Sequence, residues 1–199
     1  MSKCGTLLRT LFLLLAYNLY ASCAVYTDHA SRKRTTASPE AAEVERWQKA
    51  QTTVHQTEDR VCILEYNLPS CTAEEKFLGV NSASEGTGLD VYHDGGDLVK
   101  IRKSSCYAMG KCDVSYYWLS GALLCVKKDG YDYDAPFYAE EGFKVNSVSR
   151  GRYYFQDGKL AVWIKEDGTL ILPGSLEFEK EETSVLNDTQ EVISASQHE

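Results

Sequence analysis

The chain has 199 residues, 43% hydrophobic and 25% charged, with a formal net charge of −8. That length and balance suit one modest domain with solvated ends rather than several domains. The acidity argues against nucleic acid and anionic membrane as partners, since both are bound through basic patches.

Residues 1–24 read as a secretory signal peptide. Lys3 and Arg9 supply positive charge, Leu11 to Ala16 form a short apolar core, and small residues follow at Ala21, Ser22 and Ala24. The apolar run is shorter than the roughly 20 residues of a membrane span. Cleavage after Cys23 or after Ala24 satisfies the small-residue rule, and a lipoprotein acylated at Cys23 is the competing reading. The mature protein is therefore expected to be secreted, soluble and extracellular. Residues 25–38 form a polar leader whose Arg32, Lys33 and Arg34 offer a dibasic processing site.

A single α+β domain is expected over residues 39–174. Ser38-Pro39-Glu40 is a helix start, with a capping hydroxyl, a proline suited to the first turn and an acid at the positive end of the dipole. Val44, Trp47, Gln51 and Val54 then lie at helical spacing to about Arg60, which casts Trp47 as a core anchor. Val61 to Tyr66 fits either a strand or the helix end, and residues 82–88 read as a loop.

Beyond it one pattern recurs: Tyr92, Gly96, Leu98; Tyr117, Gly121, Leu123; Tyr154, Gly158, Leu160. Strand formers flank each copy, and a turn centred on glycine between two such runs signals a β-hairpin. Strands are expected near 89–93, 97–103, 112–118, 122–128, 151–156 and 159–165, with a last one at 169–172. The fold class is thus an N-terminal helix packed on a curved antiparallel β-meander of six or seven strands. By alternation Tyr92, Tyr117 and Tyr154 share one sheet face, read as the inner one.

Asp129 to Pro136 reads as a polar excursion of loop character. Asp129, Asp132 and Asp134 could give weak oxygen ligation of Ca²⁺, although their spacing is not that of a helix–loop–helix calcium site; the plainer reading is a solvated acidic loop. Residues 175–199 carry Glu177, Glu179, Glu181, Glu182, Asp188, Glu191 and Glu199 against Lys180. That composition predicts an acidic disordered tail. Within it, Asn187-Asp188-Thr189 is an N-glycosylation sequon.

Five cysteines follow the signal segment. In an oxidising compartment, Cys62 with Cys71 and Cys106 with Cys112 are disulfide candidates, leaving Cys125 as a free thiol or an alternative partner. Structural zinc sites use thiolates about two to four residues apart, whereas the gaps here are eight and five residues with no His beside either pair, and the chain has no C-x-x-C redox motif. No nucleophile elbow, phosphate loop or dinucleotide fingerprint is present, so no catalytic residue and no cofactor are expected.

Three runs carry a resemblance: Val91 to Ile101, Tyr133 to Tyr138, and Arg152 to Leu160 with Trp163. Together with the Glu45-Arg46-Trp47-Gln48 helix they resemble small exported, largely uncharacterised bacterial proteins with an N-terminal helix and repeated YYF-DGKL hairpins. The resemblance implies a helix against a meander sheet and brings no activity. The leading expectation is a secreted non-catalytic module that acts by surface contact with an extracellular protein or matrix component. The alternatives are an acidic structural protein of an extracellular or mineralised matrix and, third, a secreted hydrolase.

Overall fold

Residues 38–78 and 85–197 are described by a computed structural model. Helix α1 spans Pro39–Asn67. Its start is as expected: the Ser38 hydroxyl accepts the Ala41 N–H at 3.2 Å. The helix runs through Val61 to Tyr66 and ends in a 3-10 turn, Leu68–Ser70, that contains Pro69. Its buried stripe differs from the expected one. Ala50, Thr57 and Val61 are buried, with Val54 and Leu64 beside them, whereas Trp47 is 38% exposed and Val44 50%. The opposing sheet face carries large tyrosines, so the helix presents small side chains there, which an apolarity count overlooks.

From Val44 onward the chain forms one unit. Its sheet has eight antiparallel strands in chain order: β1 Thr72–Phe77, β2 Gly86–Asp94, β3 Asp97–Tyr107, β4 Gly110–Leu119, β5 Ala122–Tyr133, β6 Val145–Gln156, β7 Lys159–Ile164 and β8 Leu170–Ile171. The count is eight rather than the expected six or seven, since the sequence pattern does not mark β1. An exposed edge strand reading Thr-Ala-Glu-Glu-Lys-Phe has no apolar alternation to announce it. Asp129 to Tyr133 belongs to β5 rather than to a loop, paired with Val145 to Arg150 of β6.

Each copy of the tyrosine–glycine–leucine pattern is a hairpin with one construction. Its two loop residues both have positive φ: Gly95 and Gly96, Ser120 and Gly121, Asp157 and Gly158. This is the type I′ pattern, whose twist matches that of the strands. A bulge follows at the same place in every copy. Tyr92 pairs with Lys100 but His93 with Leu98; Tyr117 with Cys125 but Trp118 with Leu123; Tyr154 with Val162 but Phe155 with Leu160. The unopposed residues are Val99, Leu124 and Ala161. Each bulge re-aims the pattern leucine onto the face opposite its tyrosine.

The sheet is covered on both faces. On one, Ala50 and Val61 of α1 pack with Tyr117, Cys125, Tyr154 and Val162. On the other, Phe178, Val185 and Val192 pack with Ile101, Tyr116, Trp118, Val126, Tyr153, Phe155 and Trp163. Those three residues belong to α2, Leu176–Gln197. The tail expected to be disordered is therefore a core helix up to Gln197. Its apolar residues recur seven apart (178, 185, 192), and the acids between them mask that spacing in a composition reading.

Candidate interaction surface

Paired tyrosines at the centre of the sheet bind both helices. Tyr117 donates its hydroxyl to Glu65 at 2.5 Å, and Lys100 reaches the same carboxylate at 2.7 Å. Tyr154 donates to Glu58 at 2.8 Å, and Lys127 reaches Glu58 at 2.7 Å. Opposite, Tyr116 donates to Asp188, which also takes the Lys103 ammonium at 2.7 Å. Tyr153 donates to Glu181 at 2.6 Å.

The spacing explains why this works twice. Glu58 and Glu65 are seven residues apart, as are Glu181 and Asp188, and seven helical residues rise about 10.5 Å. Their tyrosine partners lie on β4 and β6, two strands apart, about 9.6 Å. Each helix therefore crosses the strands with its carboxylates in step with every second one. Burial, and then the neighbouring carboxylate, push all four tyrosine hydroxyls well above their ordinary value. Burial alone would raise the Glu65 carboxyl, but the Lys100 and Tyr117 hydrogen bonds and the Lys100 charge outweigh it and hold it below the usual glutamate value. These groups act as anchors. The pairing could have been found from carboxylates seven apart set against Tyr-Tyr doublets.

The expected disulfides are not formed: among the described residues all five cysteines are free thiols. For Cys106 and Cys112 the register gives the reason. Cys112 stands opposite Ser105, and residues directly opposite share a face. Cys106, the next residue after Ser105, therefore points to the other side of the sheet. Cys62 is exposed on α1, while Cys71 turns its sulfur to the Asn67 carbonyl at 3.6 Å. Cys125 is a buried core residue whose thiol is pushed up to about 12 by burial.

The aspartates of the 129–134 stretch do not converge. Asp129 pairs with Arg152 at 2.7 Å, Asp132 accepts the Ser147 hydroxyl at 2.7 Å, and Asp134 accepts the Lys144 N–H at 2.7 Å. Asp129 and Asp132 lie on opposite faces of β5. Among the described residues no group of three or more His, Cys, Asp or Glu side chains could hold a metal ion. Asn187 is exposed on α2, but Thr189 of its sequon is buried and donates its hydroxyl to Val185 O at 2.7 Å. Arg32, Lys33, Arg34 and the signal segment lie outside the described residues. Among those described, no helix is long and apolar enough to cross a membrane.

What the fold does gather is an aromatic rim at the end of the sheet away from the three tight turns. There the segment between β5 and β6 folds back on the β3–β4 turn. Tyr133 N–H donates to Met109 O at 2.8 Å and Phe137 N–H to Ala108 O at 3.0 Å. The Tyr133 and Phe143 rings lie 4.3 Å apart, and those of Phe137 and Tyr138 meet edge to face at 5.2 Å. Tyr107, Met109, Phe137, Tyr138, Phe143 and Val145 are nonetheless exposed, Tyr138 by 64%. Glu140 and Glu141 sit among them on the same exposed segment. The Tyr133 to Tyr138 run was singled out in the sequence; its union with the Tyr107 to Met109 turn depends on β3 and β5 flanking β4.

No family model, curated protein or solved structure matches this chain.

Proposed function

We propose that this is a secreted, non-catalytic protein that acts by surface contact, through the aromatic rim formed by the β3–β4 turn and residues 134–145. The observation that supports it is the exposure of six large apolar side chains, Tyr107 and Met109 on the β3–β4 hairpin and Phe137, Tyr138, Phe143 and Val145 on the segment whose backbone is hydrogen-bonded to it. A clustered apolar patch of this kind marks an interaction site, and aromatic residues and Met are the types enriched in interfaces. With Glu140 and Glu141 beside the rings, the fitting partner is an extracellular protein with an apolar groove bordered by basic residues.

The acidic-matrix reading loses support because four of the tail carboxylates are engaged within the fold. Glu177 pairs with Lys165 at 2.6 Å, Glu182 accepts the Leu160 N–H at 2.9 Å, and Glu181 and Asp188 anchor α2. The test is affinity capture from the native extracellular fluid with wild type and a Phe137→Ser/Tyr138→Ser variant. A partner held by wild type and lost by the variant, at unchanged melting temperature, is the expected outcome. Equal capture by both proteins would remove the rim from the proposal.

A further inference from the structure

The two edges of the sheet are unlike. β8 has only two residues, Leu170–Ile171, whereas β1 offers six, all exposed except the half-buried Lys76. An edge of that length carries unpaired backbone groups that template another strand. Leu78 N–H donates to Thr87 O at 2.8 Å. Antiparallel alternation then turns the backbone groups of Thr72, Glu74 and Lys76 toward β2 and those of Ala73, Glu75 and Phe77 off the edge.

We propose that β1 is a homodimer interface, pairing antiparallel with β1 of a second copy about a two-fold axis through Glu75. Such an axis, perpendicular to the sheet, keeps each face continuous, so a residue can stand opposite only residues of its own face. Glu74 and Lys76 lie on the α2 face, opposite Val91 and Leu89; Ala73, Glu75 and Phe77 lie on the α1 face, opposite Tyr92, Asp90 and Gly88.

Centring on Glu75 satisfies both constraints. The outward backbone groups of Ala73, Glu75 and Phe77 meet those of Phe77, Glu75 and Ala73 in the second copy. On the α2 face, Glu74 of each copy stands opposite Lys76 of the other. Within one copy these two already pair at 3.3 Å, so the dimer extends that pair into an alternating cluster. On the α1 face, Phe77, 73% exposed, covers Ala73 of the second copy. Ile63 and Tyr66, 62% and 85% exposed, stand on the last turns of the helix leading into this strand. Charges on an edge ordinarily keep strands apart. Here opposite signs fall at complementary positions, and Glu75 is the one unfavourable self-contact.

Sedimentation equilibrium of the full chain tests this. Wild type is expected to dimerise with rising concentration. Glu75→Pro removes the central outward N–H without touching the β2 ladder, so it should give a monomer of unchanged melting temperature. Glu74→Lys or Lys76→Glu alone should weaken the dimer roughly tenfold, since two cross-strand pairs change sign. The double exchange should restore it, and Glu75→Thr should tighten it. If Glu75→Pro does not fold, the charge exchanges decide. A wild type monomeric on the order of 100 µM, weaker than any useful self-association, overturns the proposal. So does a dimer indifferent to these substitutions.

Discussion

At the scale of single residues, the packing of the sheet faces depends on where side chains are missing. A Cβ at Gly151 would lie 2.8 Å from the Tyr153 hydroxyl and 3.0 to 3.1 Å from its ring, so the glycine is what lets that ring lie along β6 and reach Glu181. A Cβ at Gly130 would crowd the Ser149 hydroxyl, at 2.5 Å, and meet its Cβ at an ordinary 3.8 Å; Ser149 is exposed and its hydroxyl can rotate away. Gly151→Ala is therefore expected to cost about 1–3 kcal/mol through overpacking. Gly130→Ala should cost less than about 1 kcal/mol. Urea unfolding of the two variants checks the order. Neither role could be read from the sequence, in which Gly130 reads as part of a loop and Gly151 as the start of a strand, because the crowding comes from a ring or a neighbouring strand.

At the scale of elements, α1 and α2 share a construction, with small or apolar side chains inward and carboxylates seven residues apart. That composition concealed α2. Its acids suggested a disordered tail, because a helix that hydrogen-bonds to a tyrosine-bearing sheet needs fewer apolar residues than one that packs on aliphatics. Phe178 is 1% exposed, so Phe178→Ala should cost about 3–5 kcal/mol. Ending the chain at Ser175 would uncover Tyr116, Phe155 and Trp163, and the product should lose its cooperative thermal unfolding. Calorimetry checks both. A truncated protein that melts like the full chain would mean that α2 contributes nothing to the core. The hairpins, by contrast, were legible, since turn glycines and strand flanks are local signals. The exposed strand β1 was not, because only its place beside β2 makes it a strand.

At the scale of the whole molecule, the anchors set a pH window. The Glu65 carboxyl is held below its ordinary 4.5 in the folded protein. Its contribution is complete above that value and is lost as pH falls through the lowered one. The four anchoring tyrosines are raised above 10.0. Theirs is complete below 10.0 and is lost as pH climbs toward the raised values. Stability should therefore plateau between these limits, and the four tyrosinates should appear by absorbance only together with the loss of ellipticity at high pH. Separate titration of those tyrosines in a folded protein would contradict their anchoring role. By itself the sequence determined the N-terminal helix, the antiparallel meander, the three tight turns and the shared face of the pattern tyrosines, since each follows from spacing along the chain. Only the tertiary structure decided the second helix, the opposed faces of Cys106 and Cys112, the scattering of the 129–134 carboxylates and the aromatic rim. Those depend on register and on which distant segment lies across a strand, and neither is encoded in the local order of residues.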